Sequence, residues 1–98
     1  MIEVRQTDLF ADWFAKLRDL RAQTQILRRI ERLQAGNPGD VKSLGCGVSE
    51  MRITHGPGYR LYFTRHGNSW VMLLCGGDKS SQRADIRLAQ KLVQELDE

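Results

Sequence analysis

Arg52, Arg60 and Lys79 are the residues of this 98-residue chain whose type and placement could do chemistry. Each sits in, or just after, a stretch patterned as a β-strand, and neighbouring strands lie about 5 Å apart. Three cations on adjacent strands could therefore converge on one or two phosphate groups. The planar fork of an arginine donates two hydrogen bonds to a phosphate and stays charged. Neighbouring cations disfavour the charged form of a lysine, which suits Lys79 to proton transfer or charge stabilisation. Basic groups alone can support RNA cleavage, because the ribose 2′-hydroxyl is an internal nucleophile. The protein must align it with the phosphate, stabilise the added negative charge and help protons move. Asp78 and Asp85 are the nearest carboxylates to orient the lysine or act as base. Asp85 is equally explained as a first-turn acid favoured by the helix dipole. Arg52 and Arg60 could equally form ion pairs with Glu50 or with acids of the last helix.

Further candidates surround this trio. Lys42 is either an exposed loop lysine or a phosphate contact, Tyr62 is the one aromatic expected to be exposed for stacking on a base, and Gln82 opens a helix close to Lys79. Arg28, Arg29 and Arg32 share a helix face that reads as solvated, or as an auxiliary contact with RNA backbone or an acidic partner. His55 and His66 lie in or beside hairpin turns, and those turns should project from opposite ends of one strand, which works against a paired acid–base role. There is no Walker loop, no dinucleotide glycine fingerprint, no HExxH and no Cys/His zinc spacing, so no cofactor or metal is implied.

Three successive antiparallel strands must position the cations. Val48 to Thr54 alternates, Gly56-Pro57-Gly58 suits a type II turn with Pro57 and Gly58 at its centre, and Tyr59 to Arg65 alternates again. Gly67-Asn68 fits a two-residue hairpin loop, and Trp70 to Cys75 is apolar throughout, as expected of a strand at the centre of a sheet. Gly76-Gly77 then stop the strand. Before these come a short strand at Met1 to Arg5 that could join a sheet edge, an amphipathic helix over residues 8 to 19 capped by Thr7 or Asp8, and a second helix from about Gln23 to Ala35 ended by Gly36-Asn37-Pro38-Gly39. Val41 to Cys46 is a loop or a short strand. Ser80 or Ser81 can cap a last helix from about Gln82 to Leu96, whose acidic end (Glu95, Asp97, Glu98) opposes the helix dipole and should fray. The order predicts an α+β domain.

At this length one domain and one core are expected, burying roughly 60–70% of the unfolded surface. The content of 41% hydrophobic and 28% charged residues is that of a soluble globular protein. The longest apolar run is far short of the roughly 20 residues of a membrane span, and the N-terminus lacks an export pattern, so the cytoplasm is expected. Cys46 and Cys75 read as free thiols. Of the net charge of +3, the excess sits between residues 41 and 70, with four basic residues against one acidic. That localisation suits a polyanion site.

The blocks GNPGD (Gly36 to Asp40), GxGVxEMRI (Gly45 to Ile53), GPGYRLYF (Gly56 to Phe63), LLCGGDKSSQ (Leu73 to Gln82) and DIRLA (Asp85 to Ala89) resemble the HigB-like "addiction module killer" branch of the RelE/ParE toxins. The resemblance spans nearly the whole chain. It implies a RelE-like fold: N-terminal strand, helical hairpin, antiparallel sheet of about four to five strands, C-terminal helix. It further implies a type II toxin-antitoxin toxin, a metal-independent endoribonuclease (mRNA interferase) that cuts messages on the ribosome and inhibits translation. Its partner would be a HigA-like helix-turn-helix antitoxin. By motif, Arg60 would contact the scissile phosphate, with Arg52 and Lys79 as the flanking basic residues. Arg60→Ala should then abolish growth arrest with the fold intact. RelE itself carries two lysines on the strand before its GYR block and a tyrosine near its C-terminus. Here Arg52 stands alone and the last helix has no tyrosine, so the base stays open. ParE-like members instead bind and poison DNA gyrase, which is the alternative reading.

Overall fold

A five-stranded sheet is sandwiched between two helices on one face and one helix on the other. The computed structural model describes residues 1–96. Its elements are β1 (Glu3–Gln6), α1 (Asp8–Ala15), α2 (Leu20–Gln34), β2 (Val41–Gly45), β3 (Val48–Ile53), β4 (Tyr59–His66), β5 (Trp70–Gly77) and α3 (Gln82–Leu96), with a 3-10 turn at Lys79–Ser81. The expected fraying at Glu95, Asp97 and Glu98 falls in part outside the described residues, since Asp97 and Glu98 are beyond them.

The strands lie in the order β1-β5-β4-β3-β2. All pairs are antiparallel except β1 with β5, which is parallel, so the sheet is mixed. A parallel pair needs a crossover, and the run from β1 to β5 includes both helices and three strands. The apolar strand β5 is interior and hidden on both faces, as its composition predicts, but β4 holds the central position. The ambiguous segment at Val41 forms β2, the edge opposite β1.

Alternation sorts side chains to two cores. Met51 and Ile53 of β3, Leu61 and Phe63 of β4, and Val71 and Leu73 of β5 meet Phe10 of α1 and Ile26 and Leu33 of α2. Val48, Tyr62, Leu74 and Cys75 meet Ala89 and Val93 of α3. A bulge lets Tyr62 face Cys75 while the next pair is Phe63 with Leu73, so Leu74 and Cys75 both turn toward α3. This shift sets Gly77 opposite Arg60 and carries Lys79 to the end of the strand pair.

Helix boundaries follow from side chains that satisfy backbone groups. Thr7 accepts from the Phe10 N–H at 3.1 Å and donates to the Leu74 carbonyl at 2.6 Å, capping α1 and tying it to β5. The first helix ends at Ala15 rather than near residue 19. The Gln23 amide donates to the carbonyls of Phe14 (3.2 Å) and Leu17 (3.1 Å), and Asp19 accepts from the N–H groups of Arg21 and Ala22, starting α2 at Leu20 rather than Gln23. At its far end Gly36 takes φ +86° and the Asn37 N–H reaches the Arg32 carbonyl at 2.9 Å, closing the helix as the GNPG block predicts.

The two turns differ from each other. Ser69 N–H donates to the His66 carbonyl around Gly67-Asn68, the expected tight turn, with Ser69 one extra residue before β5. At the other end Gly58 N–H donates to the His55 carbonyl, so Gly56 and Pro57 hold the central positions, one residue earlier than the type II assignment. Gly56 has φ +56°, which only glycine adopts without strain, and it can therefore lead the turn.

Candidate functional site

Arg52 and Arg60 are direct cross-strand partners on β3 and β4, both on the α3 face of the sheet. Lys79 follows β5 against the Gly56–Gly58 turn, where its N–H meets the Pro57 carbonyl at 3.4 Å and a Cβ on Gly58 would lie 3.6 Å from the lysine Cβ. The three cations thus line one solvent-open hollow of about 550 Å³, together with Asp40, Ile53, Thr54, Tyr59 and the turn. The strands bring together the trio picked out by spacing.

Their electrostatic settings differ. Arg52 donates to Asp40 at 2.8 Å, with side chains 45% and 50% exposed. The Asp40 hydrogen bond raises the already high pKa of this guanidinium. Pairs this exposed contribute roughly 0–1 kcal/mol, so an incoming phosphate can displace Asp40. Arg60 donates to Glu50 Oε1 at 3.0 Å with side chains only 14% and 2% exposed, and Gln82 donates to the other Glu50 oxygen at 2.9 Å. Glu50 is therefore the hidden acid that orients Arg60, the pairing left open by the sequence. Lys79 is exposed and, among the described residues, forms no salt bridge.

The remaining candidates scatter. Lys42 is exposed on β2, opposite Glu50, and does not line the hollow. Gln82 contacts Glu50 and lines a neighbouring depression that also includes Lys79. Tyr62 requires a correction: it is fully buried under α3, so no base can stack on it. An interior tyrosine and an exposed one share the same alternation, which is why the pattern misled. Burial, with Glu50 and Asp85 nearby, pushes the Tyr62 hydroxyl well above the usual phenol range. Asp85 is also not brought to the hollow. It accepts from Ser81 Oγ at 2.6 Å and sits against Gly77, whose added Cβ would lie 1.9 Å from Asp85 Oδ2. Asp78, rather than Ser80 or Ser81, caps the turn into α3. The Ser80 hydroxyl and N–H hold its carboxyl below the usual aspartate value.

The arginine run on α2 divides. Arg29 is a strut, donating to the carbonyls of Arg52 (2.6 Å), Pro38 (3.0 Å) and Asp40 (3.2 Å), while Arg28 and Arg32 are exposed. Arg29 thereby pins the GNPGD loop to the end of β3 and sets Asp40 at the rim. Sequence reasoning missed Asp40, Thr54 and Tyr59 as lining residues. The signal for Asp40 was its place at the end of a turn block. The histidines stay apart: His55 bonds Asp19 at 2.8 Å and His66 stacks on Trp70 with centroids 5.1 Å apart. Cys46 is exposed and free, and Cys75 is buried, its thiol pushed up to about 12 by burial and then by Asp85. Among the described residues no group of three or more His, Cys, Asp or Glu could hold a metal ion, and no helix is long and apolar enough to cross a membrane.

The arrangement can grip a phosphodiester through Arg52 and Lys79, with Arg60 held in place behind them. An uncharacterized protein of Haemophilus influenzae is 50% identical over 95 residues, covering 97% of this chain and 96% of its own length. Residues 12–95 match the family described as "Phage derived protein Gp49-like (DUF891)". With that match spanning β2 to β5, most of both cores and the cationic hollow, the chain belongs to the Gp49-like (DUF891) family, within the RelE/ParE-like toxin group.

Proposed function

We propose that this protein is the toxin of a type II toxin-antitoxin pair, of the HigB-like kind, and that it cleaves messenger RNA on the ribosome by metal-independent 2′-hydroxyl attack. The observation that carries the reading is the hollow lined by Arg52 and Arg60 from paired strands and by Lys79 from the turn after β5. A phosphate entering there displaces Asp40 from Arg52 and gains Lys79. Arg60, steadied by Glu50 and Gln82, faces the same linkage. Arg60, held in this way, is a fixed donor that stabilises the extra charge of the pentacoordinate phosphorane without itself rearranging. Asp40, Lys79 and Tyr59 are the hollow's proton-exchanging groups: the freed Asp40 accepts the 2′-hydroxyl proton as that oxygen attacks phosphorus, and Lys79 gives a proton to the 5′-oxygen as its bond to phosphorus breaks, leaving a 2′,3′-cyclic phosphate. The proposed partner is a HigA-like antitoxin that covers the cations with acidic side chains.

Mapping of RNA ends after expression in a bacterium tests this. Codon-phased breaks in translated messages support it. Arg60→Ala is a poor probe, contrary to the expectation of an intact fold, because it strips a buried carboxylate of its cation. Arg52→Ala and Lys79→Ala, both at exposed positions, should each slow cleavage about a hundredfold in a folded protein. Undiminished cleavage in both would remove the hollow from the mechanism.

A second reading has its own support. Both arginines already have carboxylate partners, as befits a surface that binds without cleaving. On that reading the protein poisons DNA gyrase, and expression leaves messages intact while DNA-damage signalling rises.

A further inference from the structure

Four depressions share lining residues in succession, from the start of α3 through the hollow and around the end of β3 to α2. The one at Lys79, Ser81 and Gln82, of about 420 Å³, shares Lys79 with the hollow. The hollow shares Ile53 and Thr54 with a cleft of about 300 Å³ that also includes Arg28 and Arg32. That cleft shares Gln25 and Arg28 with a fourth depression, of about 270 Å³, that ends at Leu20 and Arg21. The exposed cations along this line are Arg83, Lys79, Arg52, Arg32, Arg28 and Arg21. Among the described residues, Asp40 is the one carboxylate lining any of the four.

The α2 section is regular. Arg21, Gln25, Arg28 and Arg32 recur at spacings of four, three and four, so they form one helix face. At 1.5 Å per residue that face is about 16 Å long, enough for several backbone phosphates. Among the described residues, Arg21, Arg28 and Arg32 form no salt bridge, so these charges are not neutralised from within the protein. A docked protein would need an apolar centre. Here Ile53 is only 2% exposed and Leu20 lies at the far end. A continuous cationic line with one removable acid matches a phosphodiester chain better.

We infer that this line is the path of one unpaired RNA strand. The linkage to be cut lies in the hollow, and the phosphates on one side of it lie on Arg28, Arg32 and Arg21 of α2. The inference rests on the reading of the hollow as an RNA site. The strand is single because in-line attack requires a linkage free to rotate into alignment.

The test measures binding apart from cleavage. A fluorescent oligoribonucleotide of about 12 residues, 2′-O-methylated so that it has no nucleophile, is titrated with wild-type protein and with Arg21→Ala/Arg28→Ala/Arg32→Ala across a salt series. The variant should melt with the wild type, since all three positions are exposed. Its log affinity against log salt should be shallower by about 2, and its affinity near 0.1 M salt lower by roughly tenfold or more, from about 0.7 per lost phosphate contact. An unchanged slope overturns the inference. Retained RNA affinity with lost binding of an acidic protein partner also overturns it and gives the face to that partner. The cleavage reading fails separately. Intact messages alongside the shallower slope would leave the strand path standing, whereas codon-phased cleavage alongside an unchanged slope would leave only the hollow.

Discussion

The two faces of the sheet are built from the same strands yet are composed differently. The face under α1 and α2 is closed mainly by apolar side chains, from Ile2 and Phe10 to Leu73, with the half-buried Arg29 of α2 at its edge. The face under α3 has a smaller apolar patch and, beside it, the bonded set Glu50, Arg60 and Gln82. Among the described residues, three buried side-chain atoms lack a hydrogen-bond partner: Arg60 Nε and Tyr62 Oη on this face, and Arg29 Nε on α2. Buried polar atoms left unpaired oppose folding. One face supplies stability and the other uses some of it to hold an arginine at the rim of a hollow.

The largest expected effect lies on the apolar face. Phe10, 2% exposed, touches both Trp13 and Phe14. Phe10→Ala should lose about 3–5 kcal/mol in urea unfolding, through lost transfer energy and a cavity. A loss below about 1 kcal/mol would show that this face collapses around the gap and is not the stabilising one.

Next comes Glu50. Glu50→Ala leaves the Arg60 guanidinium mostly buried without its anion, which should cost about 3 kcal/mol, while Glu50→Gln keeps the shape and should lose less. Both should slow cleavage by loosening Arg60, and the Gln variant should do so with the fold retained. If Glu50→Gln cleaved at the wild-type rate, Glu50 would be a structural acid and the polar face would lose its link to the site.

The end of β5 shows how much of this was legible in advance. The period-two pattern of Tyr59 to Arg65 and the apolar run from Trp70 identify strands, one of which runs a residue further to His66, because alternation is a local property. Gly76-Gly77 was read as a strand stop, yet both residues are in β5. A Cβ on Gly76 would lie 2.4 Å from the Trp13 ring, and one on Gly77 would strike Asp85. These glycines permit close approach on both faces, a tertiary demand that no local pattern reports. Tyr62 and Asp85 were misplaced for the same reason: their fate depends on α3 arriving from elsewhere in the chain. That Arg52, Arg60 and Lys79 lie close enough to line one hollow was legible because charges at strand ends are visible without knowing what packs there.

A smaller effect lies beside the turn whose Gly56 lines the hollow. Asp19 caps α2 and bonds His55, just before Gly56 in the turn. The Ala22 N–H and then His55 hold its carboxyl below the usual aspartate value. A depressed acid contributes stability that is present above its unfolded pKa and is lost as pH falls through the folded one. The urea midpoint should therefore decline below about pH 4. Asp19→Asn keeps a capping side chain and should remove this part of the decline. An identical acid profile in the variant would uncouple the cap from the pH response.

The smallest effect is the sharpest on the meaning of the polar face. Tyr62→Phe deletes a buried hydroxyl with no partner, so at pH 7 stability should be unchanged or higher by up to about 1 kcal/mol. The raised pKa of Tyr62 means that above about pH 10 the unfolded chain loses this proton while the folded one keeps it, so wild-type stability falls with rising pH. The variant lacks that proton and should gain on the wild type as pH rises past that point. If Phe instead lowered stability by more than about 1 kcal/mol at pH 7, the hydroxyl would be satisfied by a bound water. The α3 face would then be as fully paired as the apolar one, and the contrast between them would reduce to Glu50 and Arg60.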